Sequence, residues 1–258
     1  MASPLWSSIN VNHMTTLTRK QRELEQRETL ILDVAKDMLL RDGYLGMTMD
    51  RIAESCEYSK GTIYNHFPNK EEIVAELGLR TMNLRTDLFA RGSALKGLTR
   101  ERMMGVGTGL ELFVRLYPRE FQALSIIQAA SVREKTTAQR QQALRACDNR
   151  CMGIVAGIVR DAVSQSDLVL HDGITPEKLS FGLWSMNYGA YSLMGSDIPL
   201  QELGVDDPFE VAHKCSHMLL DGYGWQPLST EWDFDKTEAR IREEIFSDEF
   251  AQLEKLAA

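Results

Sequence analysis

The stretch TMDRIAESCEYSKGTIYNHF, residues 48–67, decides the fold. It reads as two short helices joined by a tight turn near Cys56–Ser59. Thr48 is placed to cap the first, with Met47 and Ile52 as a hydrophobic staple, and Ser59 is placed to cap the second. Ile52, Ala53, Ile63 and Phe67 are the apolar side chains, and Ile63 and Phe67, four apart, share a face. The other face of the second helix carries Lys60, Thr62, Tyr64, Asn65 and His66. Each can donate a hydrogen bond to a phosphate or a base edge, and none is acidic. Gly61 lets a backbone approach closely. A helix that is polar toward a groove and apolar toward its support has the composition needed to read DNA.

The flanks extend this unit. Upstream, Thr18 and Gln21 form a box-like helix start. Leu24, Ile31, Val34, Ala35, Met38 and Leu39 then fit one face, and Gly43 is expected to end the helix. Arg19, Lys20 and Arg22 are placed as a basic arm. Downstream, Asn69 with Glu72 opens a helix whose Ile73, Leu77, Leu84 and Leu88 face a core. Lys70 adds a positive charge to that helix N-terminus, where free N–H groups already suit a phosphate.

Residues from about Glu25 to Lys70 resemble the TetR family of transcriptional regulators. The carriers are Ala35, Gly43-Tyr44, Thr48, Ile52-Ala53, the run from Ser59 to Tyr64, His66-Phe67 and Lys70. The resemblance implies that Thr48, Thr62, Tyr64, His66 and Lys70 contact phosphates, while Lys60, Gly61 and Asn65 read base edges. It further implies a larger helical domain for ligand binding and dimerisation, and release from DNA by the ligand as the commoner mode. Two positions depart from the family pattern. Leu39 stands where an aromatic is common, and Glu57 where glycine is usual, so either strain in the turn or a shift of its geometry is expected.

The formal charge of −8 argues at first against nucleic acid, but its distribution removes the objection. Residues 15–70 hold nine Lys and Arg against nine Asp and Glu, leaving 20 basic and 28 acidic residues elsewhere. A local basic face, not the global charge, governs docking. With 43% hydrophobic residues in 258, the chain can bury a substantial core. No apolar run approaches the roughly 18–20 residues that span a bilayer. Four cysteines do not make a disulfide framework, and the expected compartment is the cytoplasm.

Helix signals continue and strand signals do not appear. Thr99 precedes one helix, Pro118 opens another, Ser131 with Glu134 is placed to cap a long one reaching Ser164, and Thr175-Pro176 and Asp207-Pro208 start two more. The expected class is therefore all-α: a three-helix N-terminal helix-turn-helix domain, then a larger helical domain. Expected boundaries are a flexible tail over 1–17, the DNA-binding domain over 18–70, the ligand-binding and dimerisation domain over 71–229, and an acidic amphipathic helix over 230–258. That last helix is expected to begin at Asp235 and Glu238. Its Ile241, Ile245, Phe250, Leu253 and Ala257 share a face and are expected to pack on the body or across a dimer.

Gly182, Ser185, Gly189, Ser192 and Ser196 recur at helical spacing, a stripe that admits a close helix neighbour. We assign it, with the helix from Pro208, to the interface of a homodimer; a crossing within one chain is the other reading. Cys147 and Cys151 fall on an apolar seam with Leu144, Ile154, Ile158 and Ala162 and read as core. His213 and His217 are two potential metal ligands without a third. Met103, Met104, Met152, Met186, Met194 and Met218 suit either an adaptable pocket or plain core filling. No nucleophile elbow, phosphate loop, dinucleotide fingerprint or zinc-enzyme motif occurs, so no catalytic residue, cofactor or metal is expected. A helical enzyme and a ligand-independent adaptor are the alternatives. The expected ligand is a largely apolar small molecule, held between the helix from Lys70 and those beginning near Thr99, Pro118 and Ser131. The expected macromolecular partner is a palindromic double-stranded operator.

Overall fold

A computed structural model describes residues 18–127, 134–196 and 198–257. The expected tail over 1–17 and the expected cap Ser131 lie outside these. Among the described residues the secondary structure is helical, with no strand: α1 (Arg19–Gly46), α2 (Met49–Ser55), α3 (Lys60–His66), α4 (Lys70–Ser93), α5 (Thr99–Leu116), α6 (Pro118–Ile127), α7 (Ala138–Ser164), α8 (Pro176–Met194), α9 (Pro208–Gly222), α10 (Phe234–Arg240), a π-helical turn (Ile241–Ile245) and α11 (Ser247–Ala257). No helix among them is long and apolar enough to cross a membrane. The chain divides into two compact units, Met1–Val74 and Ala75–Ala258.

In the first unit the caps form as their residue types dictate. Thr18 accepts from the Gln21 N–H while the Gln21 side chain accepts from the Thr18 N–H at 2.8 Å. Thr48 accepts from the Arg51 N–H and Ser59 from the Thr62 N–H. Ile31, Ala35, Met47, Ile52 and Ile63 are buried at 0% exposure. Two details differ from expectation. Leu24 is 44% exposed, because the inward face of α1 begins only at Ile31. Gly43, at φ 71°, breaks the helical path of α1, yet the helix resumes to Gly46. Glu57 in the α2–α3 turn has φ 55°, a left-handed conformation costly for a residue with a Cβ. The strain expected of that departure is thus present.

In the second unit, α4 and α5 cross with their backbones almost touching. A Cβ on Gly92 would lie 2.2 Å from the Gly105 carbonyl oxygen, so neither position accepts a side chain without displacement. The N-cap position of α5 is Leu98, whose N–H donates to Glu101 at 2.8 Å; Thr99 is the first helical residue and fully buried. Its hydroxyl donates to Asp167 at 2.6 Å and accepts from the Trp225 indole at 3.0 Å. Beside it Arg100, at 0% exposure, donates to the carbonyls of Trp225, Pro227 and His217 and pairs with Asp221 at 2.6 Å. The described long helix starts later than expected: Thr137 accepts from the Arg140 N–H and caps α7, while Glu134 sits in a turn. Cys147 and Cys151 are buried in core clusters.

The C-terminal segment is not one continuous helix from Asp235. Asp233 caps α10, and the π-helical turn follows, closed by the Phe246 N–H donating to the Ile241 carbonyl at 3.1 Å. That five-residue step turns both Ile241 and Phe246 inward, each at 0% exposure. Ile245, Phe250 and Leu253 pack around them, and Arg91 of α4 binds the Glu249 carboxylate and the Ile245 carbonyl. The segment therefore packs on its own chain; Ala257 of the expected stripe is not described at the side-chain level.

Candidate nucleic-acid interface

The short α3 is held by its own ends. Ser59 secures the first turn, the Phe67 N–H donates to Ile63, and buried Ile63 and Phe67 anchor the inner face. With that face pinned, Lys60, Gly61, Tyr64 and Asn65 are exposed, Tyr64 at 50%, while Thr62 and His66 are half-buried. The Thr62 hydroxyl is 2.9 Å from that of Ser59. Lys60 pairs with Asp50 of α2 at 2.7 Å, both side chains well exposed, and Asp50 raises its pKa. Such a surface pair contributes little to stability and yields readily to a stronger anion. A Cβ at Gly61 would meet only the Ser59 oxygen, at 3.8 Å. The protein itself therefore does not require glycine there.

Thr48 is exposed at the start of α2, while Lys70 is differently placed. Its ammonium donates to the Tyr44 carbonyl at 2.9 Å and to the Met47 carbonyl at 3.3 Å, and lies 4.0 Å from the centre of the Tyr44 ring. The Tyr44 hydroxyl donates to Glu71 at 2.6 Å, and its pKa is pushed up to about 12, by burial first and then by Glu71. Lys70 thus ties the start of α4 to the end of α1. Sequence reasoning named it only for its charge and missed the Tyr44–Glu71 bond. Arg51 of α2 pairs with Asp42 at 2.5 Å; the Asp42 carboxyl is brought down to about 2, first by its hydrogen bond from Arg41 and then by that from Arg51.

The second unit holds a cavity of about 440 Å³, within the usual range for small-molecule sites. The expected walls from α4, α5, α6 and α7 are there, and α8 and α9 contribute as well. Of the methionines singled out, Met103, Met104 and Met152 line it, whereas Met218 is 70% exposed. His213 and His217 also line it; His217 is held to a pKa of about 4, mainly by burial and then by the nearby Arg100 charge. Among the described residues no group of three or more His, Cys, Asp or Glu could hold a metal. Arg85 and Tyr191 are lining residues that sequence reasoning missed as functional groups. The available signal was an arginine one helical turn before Phe89, on a face that also carries Met82 and Leu88.

On α8, Gly182 is half-buried and Ser185, Gly189 and Ser192 are exposed; exposed Ser196 lies beyond the helix end at Met194. A Cβ on Gly182 or Gly189 would meet nothing within 4 Å, so no described segment of the same chain crosses the stripe there. Phe181 and Trp184 are exposed beside it, as are Val211 and Met218 on α9.

Comparison with known proteins bears on both units. Residues 31–77 match the family model for bacterial regulatory proteins of the tetR family. Over 68 residues the chain is 35% identical to the uncharacterized HTH-type transcriptional regulator YdeS of Bacillus subtilis, a match covering 26% of this chain and 34% of that protein. The chain thus spans about a third of the length of that curated relative. In three dimensions it is similar to a tetR-family regulatory protein from Rhodococcus RHA1, with a TM-score of 0.62 and 14% identity over 78% of this chain and 98% of the other. It is also similar to the transcriptional regulator FadR from Bacillus subtilis in complex with stearoyl-CoA, with a TM-score of 0.57 and 16% identity over 75% and 98%. At these identities the structural likeness speaks for the fold, and it is residues 31–77 that carry the similarity to the tetR family of bacterial regulatory proteins.

Proposed function

We propose that the chain is a transcriptional repressor that binds a palindromic operator as a homodimer and is released by a small molecule. The observation that carries the reading is the α3 surface, where Lys60, Gly61, Tyr64 and Asn65 are exposed above a buried Ile63 and Phe67. In this reading α3 enters the major groove. Thr48, Thr62, Tyr64, His66 and Lys70 hold phosphates, and Lys60, Gly61 and Asn65 face base edges. Lys60 exchanges Asp50 for DNA on binding. Lys70 offers its remaining N–H from a position braced by two carbonyls.

The homodimer is built on the exposed faces of α8 and α9, with Gly182, Ser185, Gly189, Ser192 and Ser196 at the close approach. It places two reading helices one DNA turn, about 34–36 Å, apart. The cavity of the second unit supports a ligand-responsive mode, as does a neighbour of the same fold that was solved with stearoyl-CoA. A gel-shift titration with the DNA upstream of the chain's own gene tests the reading. Retarded complexes on an inverted repeat, lost in Tyr64→Ala, are expected; a protein that binds no DNA there, or binds equally well as Tyr64→Ala, overturns it. Gly189→Arg is expected to yield monomers by sedimentation.

A further inference from the structure

The walls of the cavity are mostly apolar, with Phe89, Met103, Leu110, Phe121, Val155 and Leu183 among them. Set into these walls are polar atoms that no protein group satisfies. Arg85 is only 7% exposed, its Nε has no hydrogen-bond partner, and it forms no ion pair among the described residues. Its guanidinium centre lies 6.0 Å from the Phe89 ring, a contact too weak to replace a counter-ion. Tyr191 is 1% exposed and its hydroxyl has no partner; the same holds for Nδ1 of His217. A buried, permanently charged guanidinium without an anion is costly, and arginine cannot relieve the cost by losing its proton. The neighbouring Cys151 thiol does not supply a negative charge, because burial raises its pKa. Asp148 also lines the cavity and has an interaction of its own.

We propose that the cavity takes a small apolar molecule bearing a single carboxylate, with Arg85 binding the carboxylate and Tyr191 donating to an oxygen of the same molecule. The inference deepens, and rests on, the reading of this unit as a small-molecule sensor. One guanidinium matches one carboxylate in a two-pronged contact. A phosphate dianion would leave a buried negative charge unmatched, and a cationic ligand would meet the Arg85 charge directly. Tyr191 retains its proton, since burial pushes its pKa upward, and is therefore available as a donor. The apolar walls then hold the remainder of the molecule by excluding water from it.

Calorimetric titration of the full chain with decanoate and naphthoate, against decanol and decylamine, tests this. At least one carboxylate is expected to bind ten times or more tighter than decanol, and decylamine not at all. Arg85→Met should bring carboxylate affinity down to that of decanol. It should also raise the melting temperature of the ligand-free protein, because it removes an unmatched charge. Tyr191→Phe, which keeps the ring in the core, should weaken the carboxylates several-fold. Arg85→Lys provides the same comparison if Arg85→Met does not fold, since it keeps the charge and loses the two-pronged geometry. Decanol binding as tightly as both carboxylates, or full carboxylate affinity in the Arg85 variants, overturns the assignment. Gel shifts without ligand separate this from the broader reading. DNA binding without carboxylate preference defeats the site alone, whereas carboxylate preference without DNA binding defeats the regulator and leaves the site standing.

Discussion

On α3 the polar groups point outward and keep easily exchanged partners: Lys60 has Asp50, Thr62 has Ser59, and Tyr64 and Asn65 face solvent. In the cavity of the second unit the polar groups point inward, and several have no partner in the protein. The first surface costs the fold little, and in the proposed reading it would trade weak contacts for charge-assisted ones. The second carries a desolvation cost in the fold itself, which an occupant of matching charge would offset. On the proposed reading, one region serves many phosphates along a polymer and the other one small molecule of defined charge.

The sharpest way to break this contrast is a second buried arginine. Arg100 is at least as enclosed as Arg85 and its Nε likewise lacks a partner, but its two terminal nitrogens bind three carbonyls and Asp221. Arg100→Met should therefore destabilise the protein by about 3–5 kcal/mol in urea denaturation, opposite in sign to Arg85→Met. If the two substitutions shift stability in the same direction, partner count is not what distinguishes the two sites.

Acid should act on the inward region next. His217 titrates at about 4 in the fold and near 6.5 when unfolded, so the unfolded chain takes up the proton first. The stability gained by keeping it neutral is complete above pH 6.5 and is lost as the pH falls toward 4. By linkage the loss reaches up to about 3 kcal/mol. His217→Gln should remove that component, seen as a flatter dependence of denaturation midpoint on pH than in the parent protein; parallel curves would show the histidine is not held neutral.

The outward region is probed by base reading. Asn65→Ala should relax preference at one operator position by about 1–3 kcal/mol, while Tyr64→Ala weakens all sequences alike. Competition binding with operator and scrambled duplexes distinguishes them, and identical profiles for the two variants would break the division between phosphate and base contacts. The smallest effect is expected in the turn. Glu57→Gly relieves the left-handed strain but loosens the unfolded chain, for a net gain of about 0.5–1 kcal/mol. A fall in thermal stability would mean the Glu57 side chain contributes more than its backbone costs.

The N-terminal unit was legible because its signals are local. Thr18, Thr48 and Ser59 each bond an N–H three residues away, and Ile63 and Phe67 meet the core through a single period. Even the Glu57 strain could be anticipated from one departing residue. Legibility declined where a local signal had competitors. Ser131 with Glu134 resembled a cap as closely as Thr137 did, and Asp235 as closely as Asp233. A helical period cannot announce a five-residue step, so the stripe through Ile245 left out Phe246.

The sequence by itself determined the all-helical class and the helix-turn-helix, because caps and amphipathic faces act over three to five positions. Only the tertiary structure decided the cavity. Arg85, Cys151, Tyr191 and His217 come from four helices, and which of their atoms go without a partner depends on how those helices pack. The α4–α5 crossing depends on Gly92 meeting Gly105, two glycines that are unremarkable in isolation. A side chain's charge is written in the chain, but whether that charge is matched is a property of everything that packs around it.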